Sequence, residues 1–521
     1  MRFDRQTAQK PTTTTHEQAP AFELSKKRQL VNSVICSFLT NQFYKNQTEQ
    51  MRTIADLASA LSTHDPEFVL KTAAWARSRA NMRSAPLYLL VVAANIVQCK
   101  PFVRKYGQLI IRRPDEIREA IACHVEMFGK PIPNCLKKVV VDAFHGFSEY
   151  ELEKYNKDSA YSFKHCLRLT HPRPKDEVQS ALFKYLIGGW SVLSPEERSR
   201  LPYVSAKKTF SALDEFGLDA WELVSSFHIP WTDVISKFPN AWDHVQFPYM
   251  AGLRNLRNLI TKASKDKVRE VCDMIRDQDR VKKSRQLPFR FYSAWKKLSE
   301  DGVAGPGFGF VGDALETALE HSIGNIKLPG RTCVICDVSG SMTNPLSERS
   351  HITMKDVALV FGSSLVRASK KNRLFVFGQL YSEVKARNST LATIQAADRT
   401  DVGHATNLSP VFEEMINQGL VFDQVVLLSD MQVMAPQHNY WGQSAGGARS
   451  VQQMWARYRK KVSPEATLFS IDLATYGNAQ FPEYSNSVVH LSGWSDQVIK
   501  FIEMQSRGSE SFMRDIEAMG I

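Results

Sequence analysis

From about Leu24 to Leu298 apolar residues recur at three- and four-residue spacing, the pattern of helices with one buried face. TIADLASALSTHD (53–65), PEFVLKTAAWARSRA (66–80) and DEIREAIACHVEMFG (115–129) show it most clearly. The breakers HDP, RRPD, KPIPN and HPRP interrupt it every few tens of residues. Helix pairs of this length predict an α-solenoid of HEAT-like character. No clean internal repeat marks the units, so a plain helical bundle is the alternative.

A Gly/Pro-rich break, DGVAGPGFGFVGD (301–313), ends that regime. Beyond it, TCVICDV (332–338), NRLFVFGQ (372–379), QVVLLSDMQV (424–433) and ATLFSIDLA (466–474) are short apolar runs rich in β-branched and aromatic residues. Amphipathic stretches alternate with them: TMKDVALVFGSSLVRASKK, SPVFEEMINQG, SVQQMWARYRKKV and a closing DQVIKFIEMQ. Strand and helix in alternation predict a doubly wound α/β sheet. The expected organisation is a polar, Thr-rich, disordered tail over 1–22, a helical module over 23–320 and an α/β domain over 321–521.

Charge separates the two halves. From residue 331 onward 18 Lys and Arg balance 18 Asp and Glu, so the whole formal charge of +12 lies on residues 1–330. That asymmetry points to a polyanionic partner for the helical part, nucleic acid or an acidic membrane surface. No run of eighteen apolar residues spans a bilayer, and the N-terminus lacks the apolar core of a secretory signal. The eight cysteines are scattered. The nearest pair, Cys333 and Cys336, sits on a predicted strand, where residues three apart face opposite sides and cannot grip one metal together. A reduced, cytoplasmic protein is expected.

The chemistry concentrates at Asp337-Val338-Ser339-Gly340-Ser341, where the first sheet strand ends. Ligands of open α/β sheets bind at the carboxyl ends of strands. Hydroxyls beside a carboxylate suit a hard cation with oxygen ligands at about 2.1 Å. Gly403-His404-Ala405-Thr406-Asn407 precedes a helix, and Leu428-Ser429-Asp430 ends a later strand. A DxSxS sequence followed by such a Thr and such an Asp resembles the metal-ion-dependent adhesion site of von Willebrand A domains. That resemblance implies Ser339 and Ser341 as direct ligands of a divalent cation, Mg²⁺ by preference. Thr406 would bind directly or through water, and Asp337 and Asp430 mostly through waters. Two other readings stand beside it. DVSGSM could be a strand-end turn whose serines cap a helix. A phosphatase whose nucleophilic Asp ends the first strand would need a second carboxylate two residues later, and Ser339 occupies that place.

Five stretches of the helical part resemble the TROVE module of the Ro 60-kDa autoantigen family. They are NMRSAP (81–86), KPIPNCLKK (130–138), FKHCLRLTHP (163–172), YMAGLRNLRNL (249–259) and LPFRFYSA (287–294). A bacterial Ro orthologue is the expected place for the chain. The resemblance implies a ring of HEAT-like helix pairs with a central hole, followed by a von Willebrand A-like domain. It also implies binding of small non-coding Y-like RNA on the basic outer surface, capture of single-stranded 3′ ends of misfolded RNAs, and work in RNA quality control or decay, with an exoribonuclease as a further partner and no membrane.

Candidate RNA contacts are Lys137, Lys138, Lys154, Lys157, Lys164, Arg168 and His171, followed by Arg173 and Lys175. Asp158 departs from the basic residue the family pattern suggests there. Arg254 and Arg257 are spaced to present two guanidinium groups from one helical turn. Arg290 lies among aromatics and reads equally as a contact or as a buried structural residue. The run Lys262 to Arg269 is interleaved with acids and reads as a solvated helix. A metal-dependent, protein-binding adaptor is the alternative function. An enzyme fits neither half, because no P-loop, zinc-protease motif or nucleophile–base pairing is evident.

Overall fold

The apolar runs after residue 331 have no polar face to give to water, and the structure uses them accordingly. The computed structural model describes residues 13–14, 20–23, 25–36, 47–80, 82–157, 159–302, 309–326, 328, 330–345, 351–431, 450–474, 478–481, 487–492, 498, 502 and 512–520. Asn81, Asp158, residues 303–308, Gln432, Val433 and most of the closing DQVIKFIEMQ lie outside the described residues. By packing the chain divides into two compact units: Met1–Thr53 with Cys272–Met513, and Ile54–Val271 with Arg514–Ile521. The single boundary expected at residue 320 differs from this division. The physical reason is visible at Asp356, whose carboxylate accepts from Tyr292 Oη at 2.8 Å and pairs with Lys296 Nζ at 2.6 Å, so helix Pro288–Glu300 belongs with the sheet.

In the first unit the strands are, in chain order, β1 (Thr13–Thr14), β2 (Pro20–Glu23), β3 (Thr332–Asp337), β4 (Arg373–Phe377), β5 (Tyr381–Glu383), β6 (Gln424–Ser429), β7 (Thr467–Asp472), β8 (Asn478–Ala479) and β9 (Val488–Ser492). A six-stranded sheet runs in the order β5-β4-β3-β6-β7-β9, parallel except for the antiparallel edge strand β5. All residues of β3 and β6 are buried, as continuous apolar strands covered on both faces must be. Cys333 and Cys336 are both core residues, as their strand position predicts. Cys336 Sγ approaches the Ala358 carbonyl of helix Met354–Ala368, while Cys333 joins a cluster with Phe375, Val411, Phe412 and Tyr458. The four predicted strands and the three complete predicted helices of this part are all present. The edge strands β5 and β9 and the helix Thr390–Asp398 carried too weak a periodicity to be expected. The segment expected to be a disordered tail contributes β1 and β2, which pair with each other, and β2 pairs with β8.

In the second unit, helices Pro66–Ser78, Ser84–Asn95, Lys100–Ile110, Pro114–Phe128, Asn134–Gly146, Phe163–Thr170 and Glu177–Gly188 each pack against helices one or two steps along the chain, the local pattern of helical repeats. Helix starts follow from short polar caps and prolines. Asp65 accepts from Phe68 N at 3.2 Å with Pro66 in the first turn, and Asp176 accepts from Gln179 N at 2.7 Å. Buried Glu116 fixes another start by accepting from the backbone N–H groups of Arg112 and Arg113 and pairing with Arg77 at 2.7 Å. No single helix among the described residues is long and apolar enough to cross a membrane, and the apolar helices Ser84–Asn95 and Val97–Ile110 turn by 106° between them.

The sheet core rests partly on Tyr458, whose buried hydroxyl donates to Leu420 O at 2.9 Å and accepts from Phe422 N at 3.1 Å. Tyr458→Phe strands a part-buried carbonyl and a buried N–H, and we expect it to cost about 1–3 kcal/mol. Urea unfolding followed by tryptophan emission reads this directly; an unchanged midpoint and slope contradict it.

Candidate functional site

The sheet order decides where chemistry can sit. The chain leaves β3 through helix Met354–Ala368 toward β4, and reaches β6 through helix Ser409–Asn417 on the other face. The carboxyl ends of β3 and β6 therefore open a crevice at the point where strand order reverses. Asp337 ends β3, and Asp430 follows the last residue of β6.

Both carboxylates are fully buried. One Asp337 oxygen accepts from Ser339 N at 2.9 Å and the other from Ser429 Oγ at 2.7 Å. The Ser429 hydroxyl also accepts from Met431 N at 3.0 Å, so it ties the turn after β6 to the end of β3. Burial, and then the charge of Asp430, raise the Asp337 carboxyl to about 7, against the lowering effect of its hydrogen bonds to Ser339 and Ser429. Two buried acids repelling each other across a strand pair is an arrangement that a cation relieves.

Two serine hydroxyls stand on the turn that follows β3. Ser339 opens a short 3₁₀ turn, Gly340–Thr343, and its side chain makes no capping bond. Its hydroxyl lies 3.4 Å from that of Ser341. Ser339 therefore does not cap this turn with its side chain, as the capping alternative would have it. The Thr406 loop is held by backbone: Gly340 N donates to His404 O at 3.2 Å, and Asn407 N to Gly378 O at 2.8 Å. A Cβ at Gly378 would meet Gly403 O at 2.3 Å, so only glycine lets the two loops come this close. Thr406 is buried two residues beyond His404. Asp337, Ser339, Ser341 and Asp430 are brought together, with Thr406 on a loop bonded to the same turn. Their donors, hydroxyls plus carboxylates, are those a hard divalent cation takes. Among the described residues no group of three or more His, Cys, Asp or Glu gathers that could hold a metal ion, so a cation here would depend on the hydroxyls. Sequence reasoning missed Ser429 and the His404 carbonyl, although Ser429 stands beside Asp430 in the same LSD segment.

The basic candidates of the second unit do not all behave alike. Helices Pro114–Phe128, Asn134–Gly146 and Phe163–Thr170 pack mutually. Arg118 of the first donates to Lys157 O at 3.0 Å and lies 5.2 Å from the Phe163 ring. Lys138, Lys157, Arg168 and His171 are exposed on or beside this group, and Lys137 and Lys164 are half-buried. His171 ends its helix in a left-handed conformation, φ 50°. Its neighbours Arg173 and Lys175 fold back on His145, which contacts Arg173 O at 2.8 Å. Lys154 differs from the expectation: it is half-buried, with Nζ 3.5 Å from Tyr150 Oη and 5.4 Å from that ring. Arg254 and Arg257 are both exposed but not on one helix. Asn255, whose backbone leaves the helical region at φ −103° and ψ 10°, breaks the chain into Tyr249–Arg254 and Leu256–Lys262. Arg290 is exposed on its helix while Phe291 and Tyr292 take the buried face. In the Lys262–Arg269 run, Lys267 pairs with Glu270 at 2.9 Å.

Comparison with known proteins places these observations. The family described as the TROVE domain matches residues 11–209 and 239–303. Telomerase protein component 1 of Mus musculus is 28% identical over 340 residues, 53% of this chain and 13% of that protein. The Rattus norvegicus protein of the same name is 27% identical over 335 residues, with the same coverage. The chain thus spans 13% of the length of these curated relatives. The crystal structure of Deinococcus radiodurans RO (RSR) protein superposes with a TM-score of 0.68 at 17% identity, over 93% of this chain and 100% of that one. That likeness is one of fold.

Ser429→Ala leaves the Asp337 carboxylate and the Met431 N–H short of a buried partner. We expect a loss of about 1–3 kcal/mol, read as a lower thermal midpoint, with Ser429→Thr retaining most of it. Equal stability of the alanine variant and the parent protein contradicts this account of the site.

Proposed function

The chain belongs to the TROVE-domain family, and on that premise we propose that it is an RNA-binding protein whose helical unit holds RNA through its phosphates. The observation that carries the reading is a coincidence of position: the family match occupies residues 11–209 and 239–303, and the entire +12 charge lies within residues 1–330. Exposed Lys138, Lys157, Arg168 and His171, drawn from elements packed around one helix group, supply cations for a polyphosphate backbone. The ligands are structured RNAs with single-stranded ends: a small non-coding Y-like RNA as the stable partner, and the 3′ ends of misfolded RNAs. The protein serves RNA quality control or decay in the cytoplasm by holding RNA, and an exoribonuclease supplies any cleavage. Ser339 in place of a second carboxylate supports a non-enzymatic reading of the sheet's crevice.

The crevice is the place for a divalent cation. Ser339 and Ser341 would hold Mg²⁺ directly, Thr406 directly or through water, and Asp337 and Asp430 through waters. With so few charged ligands the ion stays electrophilic and accepts an acidic group from a partner protein. A metal-dependent adaptor role is therefore the second reading, supported by the buried acid pair rather than by the basic unit.

Two measurements test these readings. Log affinity for a hairpin RNA with a single-stranded end should fall linearly with log salt. Joint replacement of Lys138, Lys157, Arg168 and His171 by Ala should lower the slope by about one for each RNA phosphate no longer neutralised. An unchanged slope moves the RNA elsewhere on the protein. For the metal, Mg²⁺ at about a hundred times its dissociation constant should stabilise the chain by about 2.7 kcal/mol. Ser339→Ala with Ser341→Ala should abolish that effect while leaving RNA affinity unchanged. Mg²⁺ stabilisation that survives both substitutions removes these hydroxyls from the metal's shell.

A further inference from the structure

Away from the basic helix group, the second unit contains a cavity of 660 Å³, within the range of small-molecule sites. The two matched stretches of the family leave out residues 210–238, and that omitted segment supplies most of the cavity wall. It folds as helices Leu218–Phe227 and Trp231–Lys237 and closes against helix Glu149–Lys154 and residues 244–248. The cavity is therefore built mostly by a segment outside the two matched stretches, laid on elements inside them.

Its chemistry is specific. Tyr150, Phe216, Trp221 and Trp231 bring aromatic rings to the wall, and Phe216 stacks on His244 with centroids 5.4 Å apart and planes 19° apart. Trp221 lines the cavity yet remains 42% exposed, so its ring borders solvent. The ionisable groups on the wall are Lys154, His228, His244 and Tyr150, with no Asp or Glu among the described residues that line it. Lys154 is half-buried, like Lys137 and Lys164, and lies beside Tyr150 at the edge of this space. Flat aromatic faces, one ammonium and two imidazoles, without a competing carboxylate, match a planar heteroaromatic base carrying an anionic phosphate.

We propose that this cavity binds an unpaired nucleobase together with its 5′ phosphate, the base against the Trp221 and Phe216 rings and the phosphate toward Lys154. It deepens the RNA-binding reading and rests on it for one of two sources of the ligand, an unstacked residue of a bound RNA. The other source, a free nucleoside monophosphate, has the same chemistry.

The test uses the full chain and isothermal titration with adenosine and uridine 5′-monophosphates, the parent nucleosides, ribose 5-phosphate and a short unstructured oligoribonucleotide. The nucleotides should bind saturably and ribose 5-phosphate should not. Trp221→Ala should weaken nucleotide binding about tenfold or more, as loss of a base-stacking ring does. Lys154→Met should erase the preference for nucleotide over nucleoside. Ser225→Trp, a substitution at an exposed wall position, should block the cavity in a folded protein, with far-ultraviolet circular dichroism as the check. If these variants weaken the oligonucleotide as well, the source is RNA; if they weaken only the mononucleotide, it is the free nucleotide. If neither ligand binds in a way that Trp221→Ala and Ser225→Trp reduce, the proposal is overturned. Because the basic-surface variants are scored separately by their salt slope, failure of the cavity and failure of the RNA-binding reading give different results.

Discussion

The parallel pairing of β3 with β6 is the constraint on which the first unit depends. Each strand's backbone groups are satisfied only by a neighbour on either side, and both strands are buried throughout. Such strands can meet polar chemistry only at their ends. Because the chain reverses its winding between them, two carboxylates, Asp337 and Asp430, are carried to one end of the strand pair and buried there. Everything else at the site follows from managing that pair. Ser429 and the Ser339 amide orient Asp337, Gly378 and Gly403 allow the Thr406 loop to close, and Ser339 and Ser341 turn their hydroxyls to each other.

In the second unit the dominant constraint is also a buried charge, but a compensated one. Glu116 accepts two backbone N–H groups and pairs with Arg77, while Asp115 pairs with Arg83 at 2.6 Å. Such pairs fix helix order rather than add much net stability, because desolvation offsets their attraction. Cations used in this way are committed to structure. Lys138, Lys157, Arg168 and His171 are not buried among helices, and these are the ones placed to meet a polyanion. The same unit thus sorts its basic residues into structural, exposed and cavity-lining roles by burial, a sorting that net charge cannot reveal.

What the sequence by itself determined is what local periodicity and residue type encode. The change from helices to strands, which the structure completes at Thr332 after a helix Gly309–Ile323 that overlaps the Gly/Pro-rich break, the four central strands, the breakers HDP and RRPD, and the DVSGSM and LSD segments all depend on neighbours a few positions apart. The concentration of charge in residues 1–330 was equally legible. The tertiary structure alone decided what depends on residues far apart in the chain. Ser429 meets Asp337 across 92 positions, helix Pro288–Glu300 joins the sheet through Asp356, and β5 and β9 exist because an edge was there to receive them. Arg254 and Arg257 satisfy a helical spacing, yet Asn255 ends one helix and begins another with a backbone outside the helical region. Lys154 reads like its basic neighbours until the omitted segment 210–238 folds against it and makes a cavity wall. The reason is common to all of these. Hydrogen bonding and burial are satisfied by whatever the fold brings near, and spacing along the chain carries information only about partners within a turn or two.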